Sequence, residues 1–118
     1  MNDEYVELIN QAYKAFNNRN IDEVLSLMNE NVHWPNGWEG GYVKGHDEVR
    51  DYWTRQWKEL NPTVVPTSLK ELSENEIEVT VHQLVKDIEG KILFDGTVLH
   101  VYTFTNEKIQ AMEIEKPE

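Results

Sequence analysis

His100 stands in the middle of GTVLHVYTF, a run of aliphatic, β-branched and aromatic residues with the composition of a strand. An imidazole in such a place is shielded from water, and burial favours its neutral form and lowers its pKa unless a partner offsets the loss. Two uses fit such a group. It is a pocket acid, base or hydrogen-bond donor, or it is a core histidine satisfied by a neighbour. Glu113 is the natural partner, because a carboxylate that orients an imidazole makes a poised base. Whether the two meet depends on the turn between their strands. A two-residue turn at Asn106-Glu107 pairs Glu113 with His100, whereas a turn one residue longer puts Met112 there and sends Glu113 outwards.

Around this pair stand large aromatic residues. Tyr13, Tyr52 and Tyr102 fall at core-facing positions, and a buried hydroxyl must find a partner or open onto a cavity. Trp34 and Trp38 bracket the segment HWPNGW, while Trp53 and Trp57 share one face of a helix. Each tryptophan either packs in the core or forms the wall of a pocket; Trp38, in an irregular loop, is the one best placed to touch a ligand. Asn36 sits in the turn Pro35-Asn36-Gly37, at the lip of any such pocket. Together, His100 and Glu113 are the expected catalytic residues. Tyr13, Trp34, Asn36, Trp38, Tyr52, Trp53 and Tyr102 are the expected ligand contacts.

Other chemistries find little support. His33, His46 and Asp47 lack metal-ligand spacing such as His-x-x-x-His, so no metal is expected. Gly40-Gly41 and Gly45 are not followed by the lysine of a phosphate-binding loop. Ser26, Ser68 and Ser73 sit in no nucleophile-elbow context, and no cysteine is present to act as a nucleophile or form a disulfide. No cofactor is expected. Twenty-two acidic residues against 11 basic ones give a formal charge of −11, which repels phosphate backbones and anionic headgroups. Nucleic acid and membrane surfaces are therefore poor partners. The N-terminal MNDEYVEL lacks a signal-peptide pattern, and a cytoplasmic location is the expectation.

These residues need a scaffold, and 118 residues provide one domain, residues 1–118. Asn2 and Asp3 can cap a first helix whose apolar positions are Tyr5, Leu8, Ile9, Ala12, Tyr13 and Phe16. Asn20 with Glu23 starts a second helix running through Met28, packed on the first as a hairpin. Val32 to Trp34 is a short strand stopped by Pro35, with Tyr42-Val43 as its return. A third helix spans His46 to about Glu59. Four strands follow: Thr63–Leu72 at an edge because of Pro66, then Ile77–Ile88, Ile92–Thr105 and Ile109–Ile114 as an antiparallel meander.

A two-residue turn at Glu89-Gly90 would pair Ile88 with Lys91 and set the register of the central strands. One face then carries Ile77, Val79, Val81, Gln83 and Val85 against Tyr102, His100, Val98, Gly96 and Phe94. It is apolar apart from His100 and Gln83. The other face, with Glu78, Thr80, His82 and Leu84 against Val101, Leu99, Thr97 and Asp95, is half-wet, as a homodimer interface would be.

In this order of elements, and in the segments FNNRNIDEVLSLMNENVHW, GHDEVRDYW and HVYTFTNEKI, the chain resembles the nuclear transport factor 2-like superfamily. Within it the chain is most similar to the SnoaL-like group, whose relatives include ketosteroid isomerase and polyketide cyclases. The resemblance implies an α+β fold: a cone-shaped roll of three N-terminal helices packed on a strongly curved antiparallel sheet. It implies a pocket between the concave sheet face and the helices, and dimerisation through the outer face. The isomerase needs a carboxylate base and two oxyanion-hole donors. Carried across, its base falls on Asn36, its tyrosine on Ala12 beside Tyr13, and its protonated aspartate on His100. An amide cannot take the proton at position 36, so isomerisation of the ketosteroid type is not expected. What remains is a protein that binds a small, apolar, ring-shaped molecule. Its chemistry, if it has any, is a proton transfer of the isomerase, cyclase or dehydratase type; the rival is a non-catalytic binding or accessory dimer.

Overall fold

The computed structural model describes residues 2–117, so Met1 and Glu118, the outermost positions of the expected domain, lie outside the described residues. Helix α1 (Asp3–Asn17) starts where expected: the Asn2 side chain accepts the N–H groups of Glu4 and Tyr5 at 2.8 and 3.4 Å. The joint to α2 (Ile21–Ser26) turns on Arg19, held at φ 62°. Asn20 caps α2 by accepting the Glu23 N–H at 3.1 Å, while its amide donates to the Glu23 carboxylate at 3.2 Å.

The next element departs from the expectation. Met28 does not continue α2; it opens strand β1 (Met28–Pro35), which takes in the whole asparagine-rich segment. The reason is tertiary. Strand β1 runs parallel to the last strand, with Met28 beside Ile109, and the Ile109 N–H donates to the Leu27 carbonyl at 2.9 Å. Pairing buries Met28 completely, which outweighs one more turn of helix. Strand β2 (Tyr42–Lys44) returns along β1, and Gly45 at φ 82° opens helix α3 (Gly45–Gln56). That helix is a turn shorter than expected, because Leu60 already belongs to β3 (Leu60–Ser73).

Strands β3, β4 (Glu76–Asp87), β5 (Ile92–Thr105) and β6 (Lys108–Glu115) form the meander. The sheet has six strands in the order β2-β1-β6-β5-β4-β3, mixed rather than antiparallel throughout because β1 and β6 are parallel. Strand β3 lies at one edge, as Pro66 requires, with a break in register between Pro66 and Ser68. Helix α1 touches both β3 and β6, although β4 and β5 separate these strands in the sheet. The sheet therefore curls around it.

Two turns decide what faces the concavity. Ile88 and Lys91 do not pair: β4 stops at Asp87, whose carboxylate accepts the N–H groups of Glu89 and Lys91 at 2.9 Å each. An irregularity at Val85 and Lys86 absorbs the extra residue, and beyond it the expected register holds, with Val79 opposite His100 and Gln83 opposite Gly96. At the second turn, Asn106 and Glu107 both have positive φ, 53° and 64°, the backbone of a two-residue hairpin. Thr105 then pairs with Lys108 as expected, but a bulge at Gln110 shifts everything after it. His100 faces Ile114, and Glu113 faces Val101.

Candidate functional site

Between the concave face and the helices lies a cavity of about 730 Å³, within the size range of small-molecule sites. Its walls are largely aromatic and aliphatic, and they include Tyr13, Trp34, Trp38, Tyr52, Trp53 and Tyr102. Trp34 packs edge-on against Trp53, with ring centres 5.7 Å apart and planes at 87°. Trp53 in turn stacks on Trp57 at 5.8 Å. These contacts fix the wall without drawing on polar atoms. Tyr102 is fully buried, and burial holds its hydroxyl in the protonated form.

His100 is the polar centre of this wall. Strand β5 presents it to the cavity, 7% exposed, and its Nδ1 lies 2.7 Å from the Tyr13 hydroxyl on α1. Burial lowers the His100 pKa from 6.5 to about 4, so the ring is neutral at neutral pH. Tyr13 moves the other way: burial, then the neighbouring Tyr102, raises its hydroxyl well above the usual value. The bond fixes the ring plane and leaves two proton arrangements. If Tyr13 donates to Nδ1, Nε2 carries the hydrogen; if Nδ1 donates to Tyr13, Nε2 offers a lone pair. Nε2 bonds to no described residue, and the sealed side-chain atom lacking a partner is Trp57 Nε1, so Nε2 meets the cavity space.

The expected His100–Glu113 pair does not form. The bulge at Gln110, rather than the turn, turns Glu113 away, and its carboxylate accepts the Tyr42 hydroxyl at 2.7 Å on the rim. His33, stacked on Tyr42 with ring centres 4.3 Å apart, stands 3.8 Å from the same carboxylate. Glu113 is the sole charged residue among the described residues bordering the cavity, and its carboxylate lies at the rim rather than beside His100.

Asn36 is a second correction. It is buried, but it turns into its own loop and does not line the cavity. Its carbonyl oxygen accepts the N–H groups of Trp38 and Glu39 at 3.1 and 2.7 Å, and its amide donates to Glu39 at 3.0 Å. Glu39 also takes Arg55 through both carboxylate oxygens, at 2.9 and 2.8 Å. The loop is thus tied to α3, and Asn36 positions Trp38 instead of meeting a ligand. Tyr52 assists: burial raises its hydroxyl, offset by the backbone N–H groups of Gly37 and Trp38 and by the Gln56 amide, 3.2 Å away. The asparagine-glycine turn with a glutamate three residues after Asn36 was the available signal for this self-contained loop.

Wall residues not anticipated from sequence include Gln56, Leu93 and Ile114, together with the rim residue Tyr42. His46, once set beside a metal role, lies 3.0 Å from the Met28 carbonyl. No helix among the described residues is long and apolar enough to cross a membrane.

Comparison with known proteins agrees with this architecture. Residues 9–112 match the family model of the SnoaL-like domain. No curated protein matches the sequence. Among solved structures, an NTF2-like protein of unknown function from Burkholderia pseudomallei is similar over 99% of this chain and 92% of its own, with 22% identity and a TM-score of 0.85. TerC, co-crystallised with polyporic acid, is similar over 97% and 92%, with 23% identity and a TM-score of 0.84. RV0760c from Mycobacterium tuberculosis, solved with estradiol-17beta-hemisuccinate, is similar over 94% and 92%, with 15% identity and a TM-score of 0.81. At these identities the structures speak for the fold alone. The family match spans most of the chain: this protein belongs to the SnoaL-like domain family and has the NTF2-like fold.

Proposed function

We propose that this protein binds a small, largely apolar, ring-shaped molecule in the cavity and that His100 Nε2 hydrogen-bonds an oxygen of that molecule. One observation carries this reading: an imidazole kept neutral by burial, braced by Tyr13 through Nδ1, with its other nitrogen open to an aromatic-walled space. A carbonyl oxygen accepts only, so against a ketone the tautomer with Nε2–H is selected. That TerC and RV0760c were solved with ring compounds supports the choice of ligand class. The test is a tryptophan-fluorescence titration with 4-hydroxybiphenyl. Saturable binding that weakens in His100→Phe supports the reading; a wild-type protein that does not bind the compound contradicts it.

A second reading, proton transfer, is favoured by the arrangement in which Nδ1 donates to Tyr13 and Nε2 offers its lone pair to the cavity. In it Nε2 takes a proton from the carbon beside a ligand carbonyl. The electron pair moves onto the oxygen, and the proton returns from Nε2 to carbon or leaves to solvent. Of the two expected catalytic residues this uses His100 alone, because Glu113 stands at the rim. Hydrogen–deuterium exchange at the ring carbons of 4-phenylcyclohexanone, faster with protein than in buffer and lost in His100→Phe, is the expected result. Exchange at the buffer rate removes the catalytic reading and leaves the binding one.

The homodimer belongs to this proposal too. Thr80, Leu84, Leu99 and Val101 on the outer sheet face are only half-buried in a single chain, as a self-complementary surface would leave them.

A further inference from the structure

Gln83 is the other polar residue of the concave face, and its surroundings are unusual. Its register partner on β3 is Val64, and on β5 it is Gly96. Along its own strand the inward neighbours are Val81 and Val85, and the diagonal positions on β5 are Val98 and Phe94. None of these six residues has a side chain that can accept or donate a hydrogen bond. The Phe94 ring occupies the place that a side chain at position 96 would need: a Cβ there would stand 3.0 Å from it. Within the sheet the Gln83 amide therefore has only apolar neighbours; it borders the cavity and bonds to no described residue.

A polar group in such a setting is costly to keep dry, so it is satisfied either by water or by what fills the cavity. Its position relative to His100 favours the second. His100 is level with Val79 in the ladder, and Gln83 lies four residues further along β4. At about 3.3 Å per residue this separates the two backbone positions by about 13 Å along the strand, with both side chains on one concave face. Side chains that reach inwards from positions so spaced, each with a hydrogen bond of about 2.8 Å, suit a rigid compound of two or more rings with an oxygen at each end. Between them the wall is formed by Val98, which is aliphatic and offers nothing polar to the middle of such a molecule.

We infer that Gln83 is a second recognition residue, and that the ligand is an elongated, rigid ring system with an oxygen substituent at each end, one read by His100 and the other by Gln83. This rests on the binding role proposed for the cavity. The Gln83 amide can donate to a carbonyl or accept from a hydroxyl, so the group at that end is a hydroxyl, a ketone or a quinone oxygen. With one acceptor and two donors in an apolar frame, Gln83 selects for the presence of that group more strongly than for its identity.

The experiment compares 4,4′-dihydroxybiphenyl with 4-hydroxybiphenyl on the wild type and on Gln83→Leu, by tryptophan fluorescence. In the wild type the dihydroxy compound is expected to bind about 2- to 10-fold tighter, the worth of one neutral hydrogen bond. In Gln83→Leu the two compounds are expected to bind alike. The side-chain amide resonances of Gln83 in the wild type provide a check that needs no variant: they shift with the dihydroxy compound and shift less with the other. If both compounds bind the wild type equally, or the preference survives in Gln83→Leu, this inference is overturned while the pocket role stands. If neither compound binds the wild type, the pocket role falls and this inference with it.

Discussion

The Tyr13 hydroxyl and His100 Nδ1 lie 2.7 Å apart, and this one bond ties helix α1 to the middle of strand β5 inside the core. It aims the imidazole so that Nε2 meets the cavity. Removing the hydroxyl leaves a buried ring nitrogen without a partner. Tyr13→Phe is therefore expected to lose about 1–3 kcal/mol of stability in denaturant titration. It is also expected to weaken binding of 4-hydroxybiphenyl, because the ring is no longer held.

The His100 pKa has a sign that stability can report. The folded value is about 4 against an ordinary 6.5, so between those pH values the unfolded chain takes up a proton that the folded chain refuses. Stability from this source is fully present above 6.5 and is lost as pH falls towards 4. The gap corresponds to about 3 kcal/mol, at about 1.4 kcal/mol per pH unit. His100→Gln is expected to show a flatter stability curve between pH 6.5 and 4 than the wild type, measured by urea titration. Tyr13 and Tyr102, which border the ring, do not titrate in that range and leave the difference clean.

Gly45 opens α3 at φ 82°, and a Cβ there would stand 3.1 Å from the Glu30 carbonyl oxygen. Both the left-handed backbone and the close approach resist a side chain. Gly45→Ala is expected to cost about 1–2 kcal/mol, seen as a lower urea midpoint with an unchanged slope.

Asn36 holds the Trp38 loop through three hydrogen bonds of its side chain. Asn36→Ala is expected to raise backbone amide exchange at Trp38 and Glu39 while leaving exchange in β4 and β5 at the wild-type rate. Uniformly faster exchange would show that the loop is part of the cooperative core instead.

The outer sheet face predicts self-association. Sedimentation of the wild type should give a dimer at micromolar concentration. Leu99→Lys, which places a charge in the centre of that face, should give a monomer. A wild-type monomer would contradict the interface.

Much of this arrangement was legible in the sequence. The elements, their order and the inward register of His100, Gln83 and Tyr102 follow from alternation and turn residues, and the structure places them so. What was not legible depends on contacts between distant segments. Met28 joins a strand because Ile109 is there to pair with it. Glu113 misses His100 although its turn has the expected length. The bulge at Gln110 intervenes, where the side chain is tied to Asn29 at 2.9 Å and to Asn31 at 3.2 Å. Asn36 looked like a lip residue because its turn lies beside the cavity. Its side chain was instead claimed by its own loop, a local preference of asparagine that outweighed position.

The most direct test of the central claim is nitrogen-15 NMR of the His100 imidazole during a titration with 4-hydroxybiphenyl at neutral pH. The account predicts a neutral ring throughout, with the Nε2 resonance moving along the same saturation curve as the tryptophan fluorescence. A protonated ring, or an Nε2 signal that stays still while the compound binds, would contradict it.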